Sequence, residues 1–373
     1  MRILHISDTS IYNYDGISTY INELIYCSLA SGDEVLVVTT VPHSNNKLRE
    51  LHKEIKVHTF PHVSLLSSAS FKFGLPFGMK KIVNDFNPDL IWIHTIGTLG
   101  LYASAVLGKQ YSIIYVKHCF DGDLWCRHLK AWPVFQPFLK WAAYHLENVV
   151  LQVCNKMIYH FDQPLAFEKH KYFNKFLHLP PPLNDRFFKN PKENSENKNI
   201  TIGYCGRLDP EKNIERILNA ITIYENKNST KINLLLIGDG DRKKLEDSQY
   251  AHLNVSITGF VNDVIPYLDK LDAFVLASDT ETTSLSSLEA YARGLMIFST
   301  PVGYLAENHI KFKNMRLYST AEELSDLFVD LPLYSIKNDS KELLSALISF
   351  NVLYAFTVDM CDGLLNAASV IAI

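Results

Sequence analysis

Short apolar runs recur along the chain and alternate with longer stretches in which apolar residues return every three or four positions. In the first half the runs fall at 3–6, 35–39, 57–60, 90–93, 112–116 and 157–159. They are nearly continuous in Val, Ile and Leu, the pattern of parallel strands covered on both faces. Residues 18–30 read as a helix closed by Ser31-Gly32, because glycine readily takes the left-handed conformation that ends a helix. The second half restarts the rhythm at 200–204, 232–237, 255–258, 273–277, 296–299 and 316–318. Helices are predicted over 241–247, over 286–293, and onward from Ile214.

Between the two series stand Pro180-Pro181-Pro182 and then residues 190–199, a stretch of Asn, Lys, Glu and Ser that is apolar only at its proline. That composition marks a linker. The predicted division is an N-terminal domain over 1–185, a linker over 186–199, a second domain over 200–340, and a segment over 341–373 that crosses back to the first. Two consecutive β-α-β series imply an α/β protein of two doubly wound domains facing each other across a cleft. The length, 373 residues, agrees, since one hydrophobic core seldom serves so long a chain. Ligands of such sheets bind at the carboxyl ends of strands, so the chemistry is sought in the loops that follow the apolar runs.

Composition removes several function classes. Hydrophobic residues make up 47% and charged residues 20%, and the formal net charge of −4 gives no reason to expect nucleic acid as a partner. The opening Met1-Arg2-Ile3-Leu4-His5-Ile6-Ser7 is too short in apolar length for a signal peptide and reads as the first strand. Six cysteines are scattered without a Cys-x-x-Cys pair, which suits a reducing, cytoplasmic setting. A long uncharged run near the C-terminus, 343–358, is shorter than a bilayer requires and reads as a buried or amphipathic helix.

The most informative segment is Gly203-Tyr204-Cys205-Gly206-Arg207-Leu208-Asp209-Pro210-Glu211-Lys212-Asn213, which leaves an apolar run and enters a helix. Glycine lets the backbone turn sharply there. Arg207 and Lys212 then fall at the expected carboxyl edge of the sheet. A diphosphate suits both, because Arg offers a planar fork of donors and Lys a mobile point charge. The plainer alternative pairs the two cations with Asp209 and Glu211 on a solvated turn.

The second segment is Ser278-Asp279-Thr280-Glu281-Thr282-Thr283-Ser284-Leu285-Ser286-Ser287-Leu288-Glu289-Ala290. It follows the run at 273–277 and enters a helix, so Ser284, Leu285 and Ser286 would present backbone N–H groups at a helix N-terminus, where anions bind. Glu281 lies on the loop and Glu289 about one turn inside the helix. Both can accept hydrogen bonds from the hydroxyls of a sugar and a ribose. The alternative is a capping serine with ordinary surface glutamates.

In this order, and about seventy residues apart, the two segments resemble the retaining glycosyltransferases of family 4, whose two-domain, Rossmann-like architecture is called GT-B. Gly206 to Asn213 matches that family's Gly-Arg-Leu-x-Pro-Glu-Lys-Asn stretch residue for residue, and Glu281 and Glu289 match its two glutamates with seven residues between them. Thr300-Pro301-Val302-Gly303 with Glu307, Gly238-Asp239-Gly240 and Thr258-Gly259-Phe260 match further turns. The likeness is detailed over 200–307 and looser before it.

The resemblance implies transfer of a sugar from a nucleoside-diphosphate sugar to a hydroxyl of a glycan, glycolipid or other acceptor, with retained configuration and with neither metal nor cofactor. The first domain would bind the acceptor and the second the donor. Arg207 and Lys212 would hold the diphosphate together with Gly206 and the backbone at Ser284, Leu285 and Ser286. Glu281 would contact the transferred sugar and Glu289 the ribose. Asp15-Gly16 resembles the family's glycine loop near the phosphates, and His118 its histidine beneath the donor sugar. Without that context a histidine at a strand end is usually structural.

Four positions depart from the family. Thr282 and Ser284 stand where it usually has glycine, Asp15 takes the place of the loop's first glycine, and Tyr304 replaces a common second glycine after Gly303. These changes add bulk around the sugar pocket. They keep two alternatives open: a catalytically weak nucleotide- or sugar-binding partner subunit of a glycan-assembly complex, and a nucleotide-sugar epimerase.

Two clusters remain. His118-Cys119 and Cys126-Arg127-His128 match no usual zinc spacing. Residues 125–145 interleave Trp132, Phe135, Phe138, Trp141 and Tyr144 with Arg127, Lys130 and Lys140. Packing against the sheet is the first reading, with Pro133 and Pro137 breaking any long helix. Peripheral contact with the inner face of a membrane that presents a lipid-linked acceptor is the alternative.

Overall fold

The computed structural model describes residues 1–42, 53–63, 73–119, 122, 126, 132–161, 169–189, 200–242, 245, 248–331 and 348–361. The linker stretch 190–199, and with it Arg127, His128 and Lys130, lies outside the described residues. The chain divides into two compact units, one of Met1–Leu179 with the segment from Phe350, the other of Pro180–Ser349.

The first unit contains β1 (Arg2–Ser7), β2 (Glu34–Thr40), β3 (Lys56–Phe60), the short antiparallel pair β4 (His62–Val63) and β5 (Phe73–Gly74), then β6 (Leu90–Ile93), β7 (Ser112–Lys117), β8 (Lys156–Tyr159) and β9 (Phe176–His178). Seven of these form one parallel sheet in the order β3-β2-β1-β6-β7-β8-β9. The continuity of the apolar runs has a direct cause in β2. Leu36 and Val38 pack into a cluster with Leu4, Ile6 and Ile93, while Val35 and Val37 pack on the other face against Ile21 and Ile25 of α1 (Gly16–Ala30). Side chains of a strand alternate faces, so a sheet covered on both sides needs an apolar residue at every position.

Helices α2 (Met79–Phe86), α3 (Thr98–Leu107) and α4 (Gln136–Val153) complete this unit's central part. The prolines do not break α4, contrary to expectation. Pro133 opens a 3₁₀ turn, Pro133–Phe135, and Pro137 sits in the helix's first turn, where its missing N–H would have no intrahelical partner in any case. Nor do the aromatics pack on the sheet: Trp132, Phe135, Phe138, Trp141 and Tyr144 are exposed.

In the second unit β10 (Pro182–Leu183) pairs with β17 (Ile348–Ser349). A six-stranded parallel sheet runs β13-β12-β11-β14-β15-β16. Its members are β11 (Ile200–Cys205), β12 (Ile232–Ile237), β13 (Asn254–Ile257), β14 (Ala273–Leu276), β15 (Met296–Ser299) and β16 (Met315–Leu317). The predicted boundaries at 185 and 341 fall inside this unit, because the β10–β17 pairing draws both flanks into it. Its helices are α5 (Ile214–Lys227), α6 (Ile265–Leu268), α7 (Leu285–Ala292), α8 (Gly303–Glu307) and α9 (Ala321–Val329). Residues 241 and 242 are not helical, and of the rest of the helix predicted there only Leu245, in a turn, is described.

The last helix, α10 (Phe350–Cys361), belongs to the first unit. Phe350, Leu353, Tyr354 and Phe356 are buried, the Phe350 ring meets Tyr20 of α1 at 5.2 Å, and the Tyr354 hydroxyl donates to Asp33. Among the described residues no helix is long and apolar enough to cross a membrane. In both sheets the strand order reverses once, between β1 and β6 and between β11 and β14. Loops leaving such a pair diverge, which is where doubly wound sheets place ligands.

Candidate functional site

Because β11 and β14 are neighbours, the loops after Cys205 and Leu276 share one edge of the sheet. The first loop packs backbone on backbone: a Cβ on Gly238 would stand 2.0 Å from the Gly206 carbonyl oxygen, and Gly206 N–H donates to Ile237 at 2.9 Å. Arg207 pairs with Asp209 and, at 3.3 Å, with Glu211, so the plainer expectation holds for that residue. Lys212 behaves differently. Its Nζ lies 2.7 Å from Oε1 of Glu281, and the Ser278 hydroxyl donates to the same oxygen at 2.9 Å. Both charged side chains are largely withdrawn from solvent. Behind them Arg216 reaches the Ala277 carbonyl and Asp279, each at 3.0 Å, and ties the start of α5 to the second loop.

The second loop ends at Ser284, whose φ of +52° is the left-handed region that glycine favours. Its Oγ shares a hydrogen bond of 2.8 Å with Ser287, and its carbonyl accepts the amides of Ser287 and Leu288. The amides of Leu285 and Ser286, first in α7, meet no protein acceptor among the described residues. Glu289 follows one turn later. Burial pushes the Cys205 thiol up, and the Glu289 carboxylate adds to that shift. Gly303 supports the loop from below, at φ +55°, where a Cβ would stand 2.4 Å from the Thr282 carbonyl oxygen and 2.5 Å from that of Glu281.

The corresponding edge of the first sheet holds buried groups. The Asp8 carboxylate accepts from the amides of Leu99 (3.0 Å), Gly100 and Gly74 (both 3.4 Å) and from the hydroxyls of Thr95 and Thr98 (both 3.1 Å). It thereby caps α3; burial still pushes its pKa up, against the pull of those donors. Around Tyr20 of α1 lies a set of imidazoles. His5 and His94 share a hydrogen bond of 3.0 Å, His94 and His118 approach to 3.5 Å, and the Tyr20 hydroxyl meets His160 at 2.9 Å. Burial lowers His5 and His118 to about 3, with His160 adding to the shift of His118. His94 is also held well below its ordinary value, by burial and then by its two histidine neighbours. His5, His94 and His118 are thereby held neutral near pH 7, so half-buried His118 can exchange hydrogen bonds but carries no charge. Gly16 begins α1, is exposed, and has no atom within 4 Å of a Cβ position. Asp15 caps that helix by accepting from the Ser18 amide at 2.9 Å.

Residues 14–159 match the family model described as Glycosyltransferase Family 4, and residues 199–331 match that described as Glycosyl transferases group 1. The chain belongs to the family 4-like glycosyltransferases. This glycosyltransferase is 22% identical, over 324 residues, to a GDP-mannose-dependent alpha-mannosyltransferase of Mycobacterium tuberculosis (strain CDC 1551 / Oshkosh), covering 81% of this chain and 80% of the relative. It is 27% identical to an alpha-monoglucosyldiacylglycerol synthase of Acholeplasma laidlawii over 328 residues, which is 80% of this chain and 79% of that one. A sucrose-phosphate synthase from Thermosynechococcus elongatus superposes with a TM-score of 0.72 at 17% identity, over 97% of this chain and 98% of that chain. The fold is GT-B.

Within the glycosyltransferase, the second unit brings Gly206, Arg207, Lys212, Glu281, Ser284, Leu285, Ser286 and Glu289 to one sheet edge, while Gly16 and His118 belong to the first unit. Sequence reasoning missed Ser278 as a second donor to Glu281, and Arg216 as the tie between the loops. It also missed His5, His94, His160 and Tyr20. His5 sits inside an apolar run and reads as core, and nothing in the spacing joins it to a partner 89 residues away.

Proposed function

We propose that this glycosyltransferase moves a hexosyl group from a nucleoside-diphosphate sugar to a hydroxyl of a glycan or lipid-linked acceptor, with retention and without a metal. The observation that carries the reading is the Lys212–Glu281 pair, a cation and a hydroxyl acceptor held 2.7 Å apart at the second sheet's reversal point. Lys212, and Arg207 once turned from its carboxylates, hold the diphosphate, and the amides of Leu285 and Ser286 take a further oxygen at the positive end of α7. Glu281 accepts from sugar hydroxyls and Glu289 from the ribose. The names of two relatives, one GDP-mannose-dependent and one a glucosyldiacylglycerol synthase, agree with such a donor and with a lipid acceptor.

In the transfer, the bond from the anomeric carbon to the diphosphate breaks and the acceptor oxygen bonds that carbon on the same face. The acceptor's proton passes to the leaving phosphate oxygen. Negative charge grows on the diphosphate as it departs, and preorganised donors are each typically worth ~3 kcal/mol of barrier there. Turnover of Arg207→Ala or Lys212→Ala therefore falls by about a hundredfold.

A thermal-shift series with UDP, GDP, ADP and CMP, each with EDTA, tests the donor assignment. Stabilisation by one nucleoside diphosphate, lost in Arg207→Ala/Lys212→Ala, is the expected result; no shift with any of them overturns it. The engagement of Arg207 by Asp209 and Glu211 favours one second reading, a nucleotide-binding partner subunit. Nucleotide binding without transfer to any of a broad acceptor panel would select it.

A further inference from the structure

Helix α4 fills its buried side and leaves the other open. Ala143, Glu147, Val150 and Leu151 are its buried residues, and Glu147 is fixed there by an ion pair with buried Lys117 and by the Tyr115 hydroxyl at 3.3 Å. On the open side Trp132 is 71% exposed, Phe138 63% and Trp141 57%. Rings continue from there across the surface. Phe138 stacks on Trp141 at 5.9 Å, Trp141 meets His145 at 4.2 Å, Tyr144 meets both His145 and His170, and His170 meets Phe176, which touches exposed Phe173. An uncovered apolar band of this extent marks an interaction surface.

Charge identifies the occupant. Residues 132–178 carry five lysines, Lys140, Lys156, Lys169, Lys171 and Lys175, against three acids, of which Glu147 is already buried and paired and Asp162 and Glu168 are the others. This basic, aromatic face belongs to a chain whose net charge is −4. Tryptophan and tyrosine favour the boundary between headgroups and acyl chains, and lysines favour anionic headgroups. We infer that the band from Trp132 to Phe173 docks this protein on an anionic lipid surface, with Phe138 and Trp141 inserted and Lys140, Lys169 and Lys171 against the headgroups. The inference goes beyond the sugar-transfer reading and stands without it, since docking needs neither donor nor acceptor.

Flotation of the full chain with vesicles of phosphatidylcholine, alone or mixed with phosphatidylglycerol, tests this. The wild type should float with the mixed vesicles only, and its tryptophan emission should move to shorter wavelength. Phe138→Ser/Trp141→Ser should weaken binding by at least ~10-fold, and Lys140→Glu/Lys169→Glu/Lys171→Glu by ~100-fold. Thermal shifts with nucleoside diphosphates should be unchanged in both, which separates this inference from the donor assignment. Failure of the wild type to bind mixed vesicles, or binding by both variants equal to it, overturns the proposal. A dimer that the aromatic variant converts to monomer, without vesicle binding by the wild type, also overturns it and assigns the band to a second copy of the chain.

Discussion

At the reversal point of the first sheet the Asp8 carboxylate is buried under five donors, and burial holds His5 and His118 of the same sheet neutral. At the reversal point of the second, Glu281 shares one oxygen between Lys212 and Ser278 and keeps some contact with solvent, as Arg207 does. The two edges have the same strand topology and opposite electrostatics. What separates them is how completely each polar group is enclosed. A carboxylate whose every acceptor position is taken by amides and hydroxyls serves as a helix cap, and one left partly open can accept from a ligand. Imidazoles buried without a charged partner lose their charge.

The largest test exchanges the two carboxylates' fortunes. Asp8→Ala should cost about 3 kcal/mol or more of stability, because it strands buried donors. Glu281→Gln should cost less, about 1–2 kcal/mol, since it keeps the side chain's shape and an acceptor for Lys212 and Ser278, while turnover drops at least tenfold. Chemical denaturation and steady-state rates measure both, and a large loss of stability in Glu281→Gln would erase the distinction.

Next in size is acid. His5 titrates near 3 when folded and near 6.5 when unfolded, so the unfolded chain takes up the proton first. The stability it provides is complete above pH 6.5 and declines as pH falls toward 3, by about 2 kcal/mol at pH 5 from His5 alone. Hydrogen exchange corrected for intrinsic rates should show β1 and β6 opening at higher pH than β11 and β14. Simultaneous opening would mean that the histidines do not set the acid limit.

The smallest effect concerns Ser284. Ser284→Gly removes the cost of a left-handed serine but loosens the unfolded chain, for a net gain of about 0.5 kcal/mol. Ser284→Ala keeps the cost and loses the bond to Ser287, so it should destabilise by about 1 kcal/mol. A melting temperature that falls in the glycine variant would show that the serine's hydrogen bond outweighs the backbone conformation.

Much of this was legible in the sequence, for reasons the structure makes plain. β6, β12 and β15 occupy the positions their apolar runs predict, because a doubly covered strand must be apolar throughout. Strands of two or three residues, such as Phe176–His178 and Pro182–Leu183, carry no such signature and exist through their partners. Pro137 was misleading because its effect depends on where the helix begins, which tertiary packing decides. In the candidate site each motif could be read alone. The Lys212–Glu281 contact could not, since it follows from β11 and β14 being neighbours in the sheet. The histidine set was hidden for the same reason.

The return of α10 to the first unit bears on the order in which the protein is made. Ribosomes release the N-terminal part first, and units tend to fold as they emerge. Here the segment that begins at Pro180 and ends at Ser349 can close on itself before Phe350, Leu353, Tyr354 and Phe356 reach α1. The unit started first is thus the last to be completed, and for that interval the face of α1 that holds Tyr20 waits uncovered. A released chain truncated after Ser349 would present a complete second unit beside a first one that lacks α10.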